Sequence, residues 1–514
     1  MDRTAIDERT PVLVGCGDVT DAATAAEVGR SPFDLISQAA RLALDDAGAP
    51  KLAAAIDTLA MLRLFSDSSP RFRTKLGAST NPPRSISRRL GIDPGRHIYT
   101  SAGGNMPQYL VNLFSEQIAR GEMRGALIVG GEALRTQFHA ERAGIGVSWA
   151  EDPGGTPEAL GDSRRAWSDH EELHGMRAAI VMYPLIENAI RGDRKRTVAA
   201  HVQAMGRLFA QFAAVAAANP LATRREGYSA DRLAAVDADN RWIGFPYPRL
   251  MNANAYIDQA AAIVMVSAGM ARQLGIPEEK WVFLHGCADG NDHWFLSERE
   301  RLGRSPAIRR GVRQALDMAG LTLADIDMFD VYSCFPSAVE IACEEIGLAE
   351  DDPRGLTITG GLPYFGGPGN SYVLHSISEM VRQARRRRGK FGLVTANGNY
   401  VTKHSWGIYS TTPTTRPWQR EDPKALQAEL DGLPRAPFTE TPRGAAHVES
   451  YTIMYGKNGP DFGVVIGRED ETGRRFLANV PRDPATLADL QDKESLNRAG
   501  TVAREGKLNV FRPA

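Results

Sequence analysis

The sequence predicts an internally duplicated α/β protein. Each half makes a mixed sheet covered by helices, the first half carries a helical insertion, and a small all-β barrel follows at the C-terminal end. Two repeats carry this reading. Leu42–Gly48 and Gln314–Gly320 match at five of seven positions 272 residues apart, and each closes a helix opened by a Ser-Pro pair, Ser31-Pro32 or Ser305-Pro306. Gly103-Gly104-Asn105 and Pro368-Gly369-Asn370 lie 265 residues apart, and each opens a helix leading into a buried strand, Ala126–Val129 or Gly392–Thr395. Third, the composition shifts after Ser410 to a proline-rich stretch and then to short β-rich runs.

Val12–Gly15 reads as the first strand. In the helix after Ser31, residues Leu35, Ile36, Ala39, Leu42, Ala43 and Ala47 recur at helical spacing, Gly48 ends it, and Ile56–Leu62 completes a βαβ unit. The second copy runs through Ile308, Val312, Ala315, Leu316 and Ala319 to Gly320, then the strand Ile326–Val331. Between the halves, Arg135 to Asn254 is rich in arginine and helix formers. Its helix His201–Ala218 places Val202, Met205, Leu208, Phe209, Phe212, Val215 and Ala216 on one stripe. Asp258–Val266 returns the chain to a buried strand. Six prolines between Thr411 and Arg443 make a linker around one short helix near Pro423–Leu430. His447–Tyr455, Phe462–Gly467, Arg475–Ala478 and a closing hairpin over Gly500–Phe511 build the barrel. The expected division is therefore residues 1–134 with 255–275, 135–254, 276–412, 413–442 and 443–514.

Composition narrows the function. The chain has 514 residues, and 61 basic against 62 acidic side chains leave a formal net charge of −1, which argues against a general polyanion binder. Arg474, Arg475 and Arg482 in the barrel are balanced by its acids, so no nucleic-acid partner is expected. Cys16, Cys287, Cys334 and Cys343 are too few and too scattered for a disulfide framework or a zinc or dithiol site, and no metal site is expected. Met1–Arg9 has no apolar core of a secretion signal and no stretch reaches the ~18 apolar residues of a membrane span, so a cytoplasmic protein is expected.

The repeats, the insertion and the glycine-rich helix starts resemble the thiolase superfamily over about residues 10–410. That fold is a doubled βαβαβαββ core in five layers, α-β-α-β-α, with a loop domain inserted in its first half. The sterol-carrier-protein-type thiolases are the nearest branch, and the barrel, oligonucleotide-binding-like, resembles the added domain of thiolase-like protein type 1. The resemblance implies a lipid-metabolism acyltransferase of the acetyl-CoA acetyltransferase kind, coenzyme A or acyl-CoA as ligand, no covalently bound cofactor, and a homodimer, with a monomer left open. The family's nucleophile cysteine falls on Ser101, ahead of Gly103, Gly104 and Asn105; its Gly-His-Pro on Gly366-Gly367-Pro368, ahead of Asn370; its Cys-x-Gly on Ala396-Asn397-Gly398; and its His-Asp-Cys-Phe on Tyr332-Ser333-Cys334-Phe335. A thiolate at a helix start is the acyl acceptor that such chemistry needs, and a serine without a base is a poor substitute. Near these motifs the polar residues are Tyr332, Tyr364, Asn370, His375, Asn397, Asn399, Tyr400, Lys403 and His404.

Three readings follow. In the first, the protein binds CoA or acyl-CoA through Gly103, Gly104, Asn105, Gly366, Gly367, Asn370, Asn397 and Tyr400, with little or no thiolysis. In the second, Tyr332, with Tyr364 and Tyr400 nearby in motif terms, serves as acid or base in retro-aldol cleavage of a β-hydroxyacyl-CoA, with the barrel supplying in cis a domain that related aldolases take from a partner. In the third, Ser101 is an acyl acceptor with His404 as its base, which requires the two side chains within hydrogen-bond reach.

Overall fold

Val12–Val14, Leu127–Val129 and Ala260–Val266 are apolar runs without alternation, and each lies fully buried in a strand covered on both faces. The computed structural model describes residues 6–514 apart from 25 and 415; Met1–Ala5, part of the segment read for a secretion signal, lie outside the described residues. Along the chain come β1 (Pro11–Thr20), α1 (Pro32–Asp46), β2 (Thr58–Met61), β3 (Arg96–Thr100), α2 (Met106–Arg120), β4 (Gly125–Ala133) and β5 (Glu158–Leu160). The insertion continues with α3 (Ala179–Asp193), α4 (Val198–Ala218), β6 (Trp242–Gly244) and β7 (Tyr247–Pro248), and β8 (Asp258–Ser267) closes the first half. The second half contains β9 (Val282–Asn291), α5 (Pro306–Ala319), β10 (Ile326–Asp330), α6 (Pro336–Ile346), α7 (Tyr372–Arg386), β11 (Phe391–Gly398) and β12 (Lys403–Ser410). Then come α8 (Pro423–Asp431), β13 (Gly444–Gly456), β14 (Gly459–Glu469), β15 (Arg475–Asn479), α9 (Pro484–Asp492), β16 (Ala499–Glu505) and β17 (Leu508–Pro513).

The sheet repeats its pattern. In the first half β1 pairs antiparallel with β8, β8 antiparallel with β4, and β4 parallel with β2. In the second, β9 pairs antiparallel with β12, β12 antiparallel with β11, and β11 parallel with β10. A short β1–β9 pairing joins the halves into one ten-stranded sheet. Helices α1 and α5 cover it from outside and α2 and α7 lie between its two halves, which gives the five layers. Ser31 caps α1 in a capping box and Ser305 caps α5, as the Ser-Pro pairs predict. At one end β3 adds parallel to β2, and the insertion lays β5, mostly exposed, along β3.

Beyond Thr411 the chain closes a five-stranded barrel: β13 pairs with β14, β14 with β15, β15 with β17, β17 with β16 and β16 with β13. One element was not expected there. Helix α9 interrupts the strands and buries Leu487 and Leu490 in the barrel core. The insertion also reaches the barrel, since β6 pairs with β13 and Asn188 of α3 donates to the Tyr451 carbonyl at 2.8 Å.

Arg475, fully buried on β15, fastens the barrel to the second half. Its guanidinium donates to the carbonyls of Ser297, Arg299 and Glu300 and pairs with Glu449. Arg299 in turn donates to the Tyr400 carbonyl at 2.9 Å and to Thr402 Oγ1 at 2.7 Å. The barrel therefore supports the turn between β11 and β12. Among the described residues no helix is long and apolar enough to cross a membrane.

Candidate functional site

Ser101 follows β3, and its N–H donates to the Leu160 carbonyl of β5 at 2.7 Å. The next residues bend sharply into α2. Gly103 sits at φ +153, a conformation that side chains resist, and its N–H donates to Asn370 Oδ1 at 2.8 Å. A Cβ on Gly104 would collide with the Tyr332 hydroxyl, so the absence of a side chain lets that phenol close on the loop. Asn105 precedes α2 without capping it, and its buried Oδ1 has no hydrogen-bond partner among the described residues.

Two further segments meet this loop. Tyr332 follows β10, where its N–H donates to Thr395 Oγ1 at 2.9 Å and its ring stands edge-on to Tyr372 at 5.8 Å. Burial, with the nearby Cys334 thiol, pushes its phenol well above the usual range. Its hydroxyl makes no hydrogen bond among the described residues. Asn397 at the end of β11 donates to the Tyr183 hydroxyl at 3.0 Å, while its buried Oδ1 has no partner among the described residues. The turn that follows is strained, because Asn399 and the β-branched Val401 adopt φ +59 and +55. Arg299, the Asp292 N–H on the Thr402 carbonyl (2.9 Å) and Tyr183 on the Asn399 carbonyl (3.2 Å) hold it in place. Beyond the turn, Lys403 returns under the first loop and donates to the Ala102 carbonyl at 2.5 Å.

The comparisons with known proteins identify the family of the chain and its fold. Residues 288–355 match the model of the thiolase C-terminal domain-like family, and residues 425–507 match the thiolase-like protein type 1 additional C-terminal domain. A crystal structure of a monomeric SCP2-thiolase-like protein type 1 from Mycobacterium smegmatis is 38% identical, covering 99% of this chain and 100% of that one at a TM-score of 0.84. The chain belongs to the SCP2-thiolase-like protein type 1 family. A solved Ltp2-ChsH2(DUF35) aldolase shares the fold at 20% identity and a TM-score of 0.56, covering 79% of this chain and 99% of that one. Among curated proteins, acetyl-CoA acetyltransferase of Methanothermobacter thermautotrophicus is 28% identical over 157 residues, 28% of this chain. The match spans only 40% of that relative's length.

In this thiolase-like protein the expected site residues divide. Ser101, Gly103, Gly104, Asn105, Asn370, Asn397 and Tyr332 come together around the start of α2. His404 does not reach Ser101, although it lines a small cavity with Tyr332 and Asn397. Strand alternation puts Lys403 toward α2 and His404 on the opposite face, where its Nε2 is 3.3 Å from Asp292 and its ring stacks on Trp406 at 5.6 Å. Among the described residues Ser101 therefore has no base; its hydroxyl bonds only to Met106 Sδ at 3.8 Å. Tyr400 points away too, with its hydroxyl on the Arg177 carbonyl at 2.8 Å. Gly366 packs on Gln259, and the Gly367 N–H is consumed by the Asn254 carbonyl at 2.8 Å, so that loop offers no free donor at Gly367. Asn370 spends its amide on the Arg63 carbonyl and Ser68 Oγ, which makes it a tie between the halves.

No cysteine is primed as a nucleophile. Burial pushes Cys16 up to about 11 and Cys334 to about 12, and raises Cys287 and Cys343 further. Cys334 borders the site beside Tyr183, a neighbour that no motif indicated. Away from the site, Glu187, His201 and Glu340 lie buried within 4.8 Å of one another at the junction of α3, α4 and α6. Such a group suits a cation, and Arg194 supplies one at 3.0 Å from Glu340.

Proposed function

We propose that the protein binds CoA or acyl-CoA in lipid metabolism and carries out little or no thiolysis. The observation that carries this reading is the set Ser101, Gly367 and Ala396 at the three positions where the family places its nucleophile, base and second cysteine, with all four thiols buried and none at those positions. An acyl group needs a thiolate or a base-activated hydroxyl to accept it, and Ser101 faces a thioether. The loop still presents what a ligand would meet: the unpartnered Asn105 and Asn397 oxygens and the Tyr332 phenol. Titration calorimetry is expected to give saturable binding of CoA and acetoacetyl-CoA, while thiolysis of acetoacetyl-CoA stays at the uncatalysed background. Turnover at an ordinary enzymatic rate, on the order of 1 s⁻¹ or faster, would overturn the reading. We also read the chain as a monomer, because β5 occupies the free edge of β3; light scattering at twice the 55.9 kDa chain mass would refute this.

The Tyr332 hydroxyl supports a second reading, cleavage of a β-hydroxyacyl-CoA by a retro-aldol step. A buried phenol without a hydrogen bond among the described residues, set on the loop that would face the ligand, is suited to move a proton. Tyr364 and Tyr400 do not contribute, since neither hydroxyl faces this loop. If a preparation with aldol activity retained it after Tyr332→Phe, this role would be excluded.

A further inference from the structure

The chain has ten lysines, and Lys403 alone is buried, with 3% of its surface exposed. A buried ammonium is normally held by a carboxylate. Among the described residues Lys403 has none in contact; its amine meets only the Ala102 carbonyl. Its end packs against the backbone at two glycines of the site. A Cβ on Gly103 would lie 2.8 Å from Nζ and 2.5 Å from the unpartnered Asn105 Oδ1, and one on Gly398 would lie 3.2 Å from Lys403 Cε. Gly103 and Gly398 thus leave the amine beside the loop that holds Ser101. Asp162 and Arg164 belong to an irregular segment with exposed residues, and Arg164 rests on the Trp294 ring at 3.8 Å, the same ring that Lys403 Nζ approaches at 6.0 Å.

We propose that Lys403 is a carbonyl-capturing amine, which condenses with the ketone of a β-keto thioester, or with a small aldehyde, to form an imine. The Nζ lone pair attacks the carbonyl carbon and the carbonyl oxygen takes a proton, giving a carbinolamine. Loss of that hydroxyl as water, with the remaining N–H proton released, leaves the C=N bond, so no oxidant or reductant is consumed. A lysine suits this step when desolvation or a neighbouring cation keeps part of it neutral. Here burial pushes the amine down to about 8, with Arg164 adding to the shift and Asp162 opposing it.

The choice of thioester rests on the CoA reading above; the aldehyde does not depend on it. The full-length chain is incubated with acetoacetyl-CoA or with propanal, each with sodium cyanoborohydride to reduce the imine, and the modified lysines are mapped by mass spectrometry. Lys403 is expected to be modified at least about tenfold faster than any of the nine other lysines at pH 7.5, with a rate that rises through about pH 8. Lys403→Arg, which keeps the charge, should abolish that adduct and leave labelling elsewhere unchanged. Labelling confined to the other lysines with both probes would overturn the inference, whatever CoA binding shows. Calorimetry with CoA reports separately on the reading beneath it.

Discussion

Gly15 on β1 and Gly286 on β9 do the same work 271 residues apart. Each lets an outer helix approach so closely that a Cβ would overlap a helix carbonyl, Ala43 for α1 and Ala315 for α5, with Ala47 and Ala319 packed alongside. Asp18 and Asp289 extend the parallel, for each sits near the end of its half's first strand and reaches the inner helix of the other half. Asp18 holds His375, Ser378 and Arg382 of α7, and Asp289 accepts from Asn112 of α2 at 3.0 Å. The inner helix starts then diverge. Before α7, Gly366 is filled by Gln259, the Gly367 N–H is used, and Asn370 is fully bonded. Before α2, among the described residues, two glycines leave a phenol, an amine without a carboxylate partner and an unsatisfied amide oxygen around one loop. Both copies dock their outer helices alike while, among the described residues, one helix start leaves polar groups unsatisfied, because docking has one steric solution and a helix start can be completed by the protein or by a ligand.

Gly15→Ala and Gly286→Ala should each cost about 3 kcal/mol, at the upper end for overpacking, since the obstacle is backbone and cannot rotate away. Thermal melts of both variants check the equivalence; a tolerated Gly286→Ala beside a failing Gly15→Ala would break it. Asp18→Asn comes next. Burial pushes this carboxyl up, but Arg382, His375 and Ser378 outweigh it and hold it at about 2. A carboxylate held below its unfolded value stabilises the fold above about pH 4 and loses that contribution as pH falls toward 2. The variant should therefore lose roughly 2 kcal/mol at neutral pH and show a correspondingly flatter acid limb in urea midpoints from pH 7 to 2. At the helix starts the effects are smaller. Asn370→Ala orphans the Gly103 N–H and should cost about 1–2 kcal/mol, whereas Ser101→Ala should stay within about 0.5 kcal/mol and leave CoA affinity unchanged. A large loss of CoA binding on Ser101→Ala would show that the hydroxyl touches ligand.

The duplication was legible because it is written in local sequence: Ser-Pro caps, helical spacing and apolar runs survive in both copies. The positions of Ser101, Tyr332 and Asn397 came instead from the resemblance to thiolase motifs, each of which falls at a strand end or a helix start. Side-chain direction was harder. Lys403 and His404 are adjacent and both polar, and only the register of β12 between β9 and β11 decides which one faces α2. The histidine drew the stronger expectation on chemical grounds, and the lysine occupies the position. Nor could local pattern reveal that β6 would pair with β13 or that β5 would cover β3, since both contacts join residues that are brought together only by the insertion's path.

The buried Arg475 links the barrel to the carbonyls of 297–300, and Arg299 links that segment to the turn before Lys403. Because barrel and turn share one polypeptide, this support is supplied at the effective concentration of a tethered ligand, which for a short linker is on the order of millimolar. An assembly that borrowed the same domain from a separate chain would lose it on dilution or when the two genes were unequally expressed. Here the strained turn keeps its brace at any protein concentration, in one-to-one stoichiometry.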